Sequence, residues 1–322
     1  MSNLFKLEHG DCIQVLKTYP DNYFHSIVTD PPYNISIDGA KWDSFKSNKH
    51  FQKWCYEWAK ECFRVLKPGG FIISFSSQRT YHRMACGLED AGFNIKDVIN
   101  WLYESGMPKG RRSEDKTMGN MLKPSSEPAV LAQKPIEEKN VSEQYLKTMT
   151  GWLHINACRL PKGSYHWWGK RNDLDFTDPW NRPLNSNFAK NGKMLNAEED
   201  NYQWVDISSY APKDGRYPAN TFLCKKANKK EKEAGIRSNG KGKRRNTHPS
   251  VKPLKLMKWC VRLVTPPNGI VLDPFIGSGT TALACVLQDY KCVGIEKNEQ
   301  YLNIINSRVN FALKTKENKS KK

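Results

Sequence analysis

The sequence predicts an α/β fold built on a mostly parallel, twisted sheet and interrupted by a long insertion. Three observations carry this. His25-Ser26-Ile27-Val28-Thr29 and Ile270-Val271-Leu272 are short β-branched runs that both stop at Asp-Pro, as buried parallel strands do on leaving a sheet. Strand and helix patterns alternate at both ends of the chain. Between the ends the alternation fades.

Along the N-terminal part, Phe51, Trp54, Cys55, Trp58, Ala59, Cys62, Phe63 and Leu66 trace one apolar helical face. Lys67-Pro68-Gly69-Gly70 should stop that helix, by proline and by glycine. Phe71-Ile72-Ile73-Ser74-Phe75 reads as a strand, Thr80 to Asp90 as a helix closed by Ala91-Gly92, and Asn94 to Tyr103 as another strand. On the C-terminal side a helix from Pro253 to Val264 leads into the Ile270–Asp273 strand. A glycine turn, a small-residue helix (Thr280 to Leu287) and a strand ending in an acid (Lys291 to Glu296) follow. A helix from Tyr301 to Leu313 precedes a Lys-rich tail, 314–322, expected to be disordered. The expected division is one α/β domain in two halves, 1–103 and 248–313, with a basic insertion at 104–247.

With 322 residues, the chain suits one large domain with an insertion or two modest domains, and 38% hydrophobic residues suffice for one substantial core. The formal net charge of +18 favours nucleic acid or another anionic surface as partner. Of the nine cysteines, Cys12, Cys55, Cys62, Cys86, Cys260, Cys285 and Cys292 lie in apolar or mixed segments, and none has Cys-x-x-Cys spacing. Free thiols in a reducing compartment fit them better than disulfides or a metal. Neither a signal-peptide stretch nor an 18-residue apolar run is present, so a soluble, cytoplasmic protein without a membrane partner is expected. Between Lys225 and Arg245 ten Lys or Arg stand against Glu231 and Glu233, a net +8 (10 − 2). With Trp167, Trp168, Trp180 and Trp204 in the same insertion, this run reads as a nucleic-acid contact, with Lys241, Lys243, Arg244 and Arg245 as candidates. A solvated charged face is the alternative.

The two Asp-Pro turns carry the chemistry. The residue before proline is kept out of the helical region, so Asp30 and Asp273 are extended at the carboxyl ends of their strands, where open α/β sheets bind ligands. At the second turn, Asp273, Phe275, Gly277, Ser278, Gly279 and Thr280 open a helix, and Glu296 ends the next strand 23 residues on (296 − 273). Such a turn suits an adenosine-bearing cofactor, with Glu296 accepting the ribose hydroxyls. A nicotinamide cofactor would use the same geometry. At the first turn, Asp30 offers a carboxylate and Pro31, without an N–H, offers its carbonyl. Two adjacent acceptors can take both hydrogens of an exocyclic amine, aiming its lone pair at an electrophile. Pro32 then presents Tyr33 as a flat ring for a base to stack on. No Pro-Cys dipeptide exists in the chain, which argues against a covalent cysteine mechanism at a ring carbon.

Asp30-Pro31-Pro32-Tyr33, followed far downstream by Asp273-Pro274-Phe275-Ile276-Gly277-Ser278-Gly279-Thr280-Thr281, resembles the amino-methyltransferases of DNA that use S-adenosylmethionine. Their order, catalytic motif, insertion, cofactor motif, is similar to the β class, and the resemblance covers nearly the whole chain. It implies a three-layer Rossmann-like methyltransferase fold with an inserted target-recognition region, in a restriction-modification setting. It also implies double-stranded DNA as partner, with a homodimer left open. Asp30, Pro31, Pro32 and Tyr33 would be catalytic. His9-Gly10-Asp11-Cys12 is similar to the permuted N-terminal motif, which places Asp11 near the cofactor's adenine. Thr247-His248-Pro249-Ser250-Val251-Lys252-Pro253 is similar to the segment before the cofactor strand, which places Ser250 and Lys252 near the methionine carboxylate. Lys123 to Pro128 and Gly215 to Asn220 are similar to stretches common in phage and prophage members. Adenine N6 is the expected target because Asp heads the motif; Ser-Pro-Pro-Tyr is more usual for cytosine N4, the runner-up. Asp11 also reads as a helix N-cap, Asp273 as a turn former and Lys252 as a surface lysine. A methyltransferase of structured RNA and a non-enzymatic binding protein are the rival classes.

Overall fold

The computed structural model describes residues 4–103, 106, 110–159, 193–198, 201–206, 217–236 and 246–320. In chain order the strands and α-helices are β1 (Phe5–His9), α1 (Cys12–Leu16), β2 (Phe24–Thr29), α2 (Asn48–Val65), β3 (Leu66–Phe75), α3 (Tyr81–Asp90), β4 (Asn94–Leu102), β5 (Ser126–Gln133), α4 (Val141–Thr148), β6 (Lys193–Glu198), β7 (Asn201–Asp206), β8 (Thr221–Leu223), α5 (Lys229–Lys232), α6 (Leu254–Val264), β9 (Ile270–Asp273), α7 (Thr280–Val286), β10 (Lys291–Glu296) and α8 (Glu299–Ser320).

One eight-stranded sheet has the order β1-β10-β9-β2-β3-β5-β4-β8. The first five strands are mutually parallel, β5 is antiparallel to both β3 and β4, and β8 lies parallel to β4. Successive residues of the central strands are buried on opposite faces, as expected where helices cover both. Ile27, Ile72, Leu272, Val293 and Ile295 join a core that includes Leu16, Phe51, Trp58, Cys62 and Met84 of α1, α2 and α3. Their neighbours Val28, Ile73 and Val271 are equally buried but lie outside that cluster, and α6 and α7 pack together on the sheet as well. The result is the expected three-layer, mostly parallel α/β fold.

The helix over Asn48–Val65 forms because Phe51, Cys55, Trp58, Ala59 and Cys62 recur on one face and Ser47 caps it, accepting from the His50 N–H at 3.1 Å. It ends before Lys67-Pro68. That run, expected to stop the helix, follows its end and lies in β3, where the pairing with β2 shifts register between Phe24 and Ser26. Gly69, at φ 74°, permits the local irregularity and donates its N–H to the Lys134 carbonyl. The tail expected to be disordered is helical through Ser320, with Lys316 paired to Asp289 and no Pro or Gly in that helix to break it.

The stretch 104–247, expected as one insertion, is divided. Strand β5 sits inside the main sheet between β3 and β4, and β8 extends it. By contact density the chain forms two units, Met1–His154 with Asn220–Lys322, and Ile155–Ala219. Within the second, β6 and β7 pair antiparallel, Leu195 opposite Trp204. Lys241, Lys243, Arg244, Arg245, Trp167, Trp168 and Trp180 lie outside the described residues. All nine cysteines are free thiols; Cys86 and Cys224 are partly exposed and the other seven buried. Among the described residues no helix is long and apolar enough to cross a membrane.

Candidate active site

Sheet register brings the two turns together. Ile27, Leu272 and Val293 form one row across β2, β9 and β10. At the carboxyl ends of these strands stand Asp30, just after β2, Phe275, two residues after β9, and Glu296, the last residue of β10. That edge opens into a cavity of about 530 Å³, within the size range of small-molecule sites. Its wall includes Gly10, Asp11, Asp30, Pro31, Pro32, Tyr33, Ser250, Phe275, Gly277 and Glu296, so most of the residues expected from sequence converge there.

At the second turn, the Gly277 N–H donates to Glu296 Oε2 at 2.9 Å and the Asn298 N–H to Oε1 at 2.7 Å. These two bonds fix the carboxylate while each oxygen keeps a lone pair for a ligand hydroxyl. Burial raises the Glu296 carboxyl above its usual range, against the lowering effect of those N–H groups. Gly277, at φ 53°, cannot be replaced cheaply, since a Cβ there would sit 2.7 Å from His248 Nε2. Phe275 packs on Trp54 and Trp58, with ring centroids 5.5 and 5.3 Å away, and gives the cavity an apolar wall. Asp11 caps α1, accepting from the Ile13 N–H at 3.1 Å, and also borders the cavity.

Five residues expected at the cofactor do not reach the cavity wall: Lys252, described below, and four of the second turn. Asp273 is buried, accepting from the Thr29 hydroxyl at 2.7 Å and the Phe275 N–H at 3.1 Å. Burial pushes its carboxyl up to about 7. It shapes the turn. Ser278 and Thr280 are held instead by the buried Arg308 guanidinium, which donates to the Ser278 hydroxyl at 2.9 Å and the Thr280 hydroxyl at 3.2 Å. Gly279, at φ 83°, starts α7 and packs on Ile305.

At the first turn, Asp30 is the hub. Its Oδ1 accepts from the Tyr33 hydroxyl, and its Oδ2 accepts from Lys252 Nζ at 2.5 Å and Ser250 Oγ at 3.2 Å. Lys252, neither a surface residue nor on the cavity wall, is only 4% exposed. It also reaches the Tyr33 hydroxyl at 2.9 Å and Glu127 at 3.2 Å. Burial alone would lower the Lys252 ammonium, but the charges of Asp30 and Glu127 outweigh it and hold it above its usual range. Burial, with the charges of Asp30 and Glu127 beside it, keeps the Tyr33 phenol well above its ordinary value, so it stays a donor.

Three further residues define the site. The buried Asp43 accepts four backbone N–H groups, from Tyr33 at 2.5 Å, Asn34 at 2.8 Å, Ile35 at 3.3 Å and Ile37 at 2.9 Å. This knits the loop after Tyr33, where Asn34 and Ser36 adopt left-handed φ of 58° and 53°. His248 lies between Trp42, stacked at 6.3 Å, and Tyr301, edge-on at 4.7 Å, and burial lowers its imidazole to about 4. Glu127 reaches the site from β5. Asp43 has no helical or strand periodicity around it, and Glu127 lies in a stretch assigned to the insertion, so neither announced itself in the sequence.

The family model described as DNA methylase of the N6/N4 type matches residues 24–307. The chain belongs to this family. Among curated relatives, the type II methyltransferase M.HindIII of Haemophilus influenzae is 25% identical, the alignment covering 94% of each chain. The PvuII DNA methyltransferase, cytosine-N4-specific, has a similar fold with a TM-score of 0.58 at 15% identity, covering 94% of this chain and 86% of its own. The complex of M1.HpyAVI with SAM has a TM-score of 0.50 at 22% identity, covering 95% of this chain and all of the other. Family membership establishes amino-methylation of DNA as the activity class of this chain and joins it to restriction-modification methyltransferases.

Proposed function

We propose that this protein methylates adenine N6 in double-stranded DNA, with S-adenosylmethionine bound in the cavity bordered by Glu296 and the methyl acceptor held at Asp30. The observation that carries this is that Asp30 and Glu296, at the ends of two parallel strands, line one cavity. The cavity fits such a cofactor: a fixed, partly buried carboxylate for ribose hydroxyls, an apolar wall at Phe275 and a close glycine backbone at Gly277. When bound, the cofactor supplies an electrophilic methyl group.

The protein positions the other reactant. Asp30 Oδ2 and the Pro31 carbonyl are the acceptors for the two amine hydrogens, and Tyr33 supplies the ring on which the flipped base stacks. Of the two contacts now on Oδ2, Ser250 Oγ is the longer, at 3.2 Å, and yields to the amine. Lys252 and the Tyr33 phenol hold the Asp30 carboxylate in place. Asp30 Oδ2 would take the proton that the amine nitrogen sheds as the methyl leaves the cofactor's sulfur, which departs as a neutral thioether, and would pass that proton to solvent. Asp at the head of the motif supports adenine over cytosine.

The test is methyl transfer from labelled cofactor to duplex DNA and to structured RNA, followed by digestion to nucleosides. N6-methyldeoxyadenosine is expected. N4-methyldeoxycytidine would overturn the base assignment, and label only in RNA, or none, would overturn the substrate. Asp30→Ala should lower kcat by at least about a hundredfold, roughly 2.7 kcal/mol, with cofactor affinity kept.

A further inference from the structure

Strand β4 runs parallel to β2, through β5 and β3, so the chain beyond Leu102 leaves the sheet at the edge that carries Asp30. Within the segment that follows, residues 111–120 form a short finger. Arg112 and Gly119 make an antiparallel bridge, the Asn120 N–H donates to the Arg111 carbonyl at 3.2 Å, and the Ser113 N–H donates to the Met118 carbonyl at 3.0 Å. Asp115 ties its tip, accepting from the Thr117 N–H at 3.1 Å and the Thr117 hydroxyl at 2.7 Å.

The finger and the two residues that follow it leave apolar side chains in solvent. Leu122 is 91% exposed, Met118 69% and Met121 44%. Single exposed apolar residues are ordinary, but three within five positions are a patch. Beside them stand Arg111, Arg112, Lys116 and Lys123 against Glu114 and Asp115, a net +2 (4 − 2). The partner that fits is anionic outside and flat and apolar within, which describes a DNA duplex opened at one base step. The position agrees. Leu122 is five residues before Glu127, which contacts Lys252 at 3.2 Å and Tyr33 at 3.5 Å. Five residues span at most about 17 Å, so Leu122 stays within reach of the nucleotides that flank a base held at Asp30.

We propose that the 111–123 segment enters the duplex at the target, with Leu122 as the wedge that fills the space left by the extruded base. Met118 and Met121 extend the apolar contact and Arg111, Arg112 and Lys123 lie along the phosphates. The proposal rests on the DNA-methylase reading. Base extrusion costs a few kcal/mol of lost stacking and pairing, and an apolar side chain inserted in the gap offsets part of it.

The experiment compares wild type, Leu122→Ala and Leu122→Met on two duplexes that carry the methylated site mapped by sequencing. In one the target base has its normal partner; in the other an abasic position stands opposite, so that no pairing must be broken. Duplex affinity and kcat/KM are both read. Leu122→Ala should lose at least about tenfold on the paired duplex and recover to within about threefold on the abasic one. Leu122→Met, which keeps apolar bulk, should resemble wild type on both. Equal losses on the two duplexes, or none, overturn the wedge. Failure of the wild type to methylate either duplex would instead overturn the functional reading.

Discussion

Asp273→Asn separates a turn former from a cofactor ligand, and the structure fixes the sign of its effect on stability. The wild-type carboxyl is 2% exposed, accepts from Thr29 and Phe275, and is raised by burial from 3.8 to about 7. A group raised in the folded state contributes stability that is complete below its unfolded pKa and is lost as pH rises through its folded pKa. Across pH 4 to 7 the wild type should therefore lose about 1.4 kcal/mol per pH unit from this residue, on the order of 4 kcal/mol in all. Asparagine keeps an acceptor for Thr29 and Phe275 and does not titrate. The variant should match the wild type near pH 3.5, become progressively more stable than it up to about pH 7, and hold that advantage above it. Urea unfolding of both proteins at half-unit pH steps measures this. A stability difference independent of pH would refute the reasoning. Because Asp273 does not line the cavity, cofactor affinity in the variant should stay within about threefold, roughly 0.7 kcal/mol; a tenfold loss would return Asp273 to the ligand set.

Three further outcomes are expected. Glu296→Ala should weaken cofactor binding at least about tenfold, roughly 1.4 kcal/mol, while calorimetry with duplex alone changes little; a collapse of DNA binding with cofactor affinity intact would reverse the two sites. Asp43→Ala strips four backbone N–H groups of their acceptor and should lower kcat by at least about tenfold, with cofactor affinity retained; unchanged turnover would show that the loop after Tyr33 orders itself. Changing Lys241, Lys243, Arg244 and Arg245 together to Ala should reduce the salt dependence of duplex affinity by as much as about 3 to 4 units of slope without altering the preferred site, and parallel plots of affinity against salt would reject phosphate contacts.

Local pattern made much of the protein legible before its tertiary structure. β-branched runs ending at Asp-Pro mark β2 and β9 because a buried parallel strand needs apolar residues on both faces and proline ends its ladder. The spacing of Phe51, Cys55, Trp58 and Cys62 marks α2 because one stripe of a helix must face the core. Asp30, Tyr33, Gly277 and Glu296 were legible as ligand residues because strand ends and glycine turns are local features, and all four line the cavity. What three-dimensional packing settled is pairing between distant segments. Strand β5 enters the sheet between β3 and β4 from a stretch that reads as insertion, and it delivers Glu127 to the Lys252 that a sequence places at the cofactor. Asp43 serves the loop after Pro32 from ten residues beyond Tyr33, through backbone N–H groups that have no side-chain signature. Periodicity reports which face of an element is buried. Which carboxylate meets which ammonium, and which buried acid is left uncharged, depends on strand order and register, and these are properties of the folded chain.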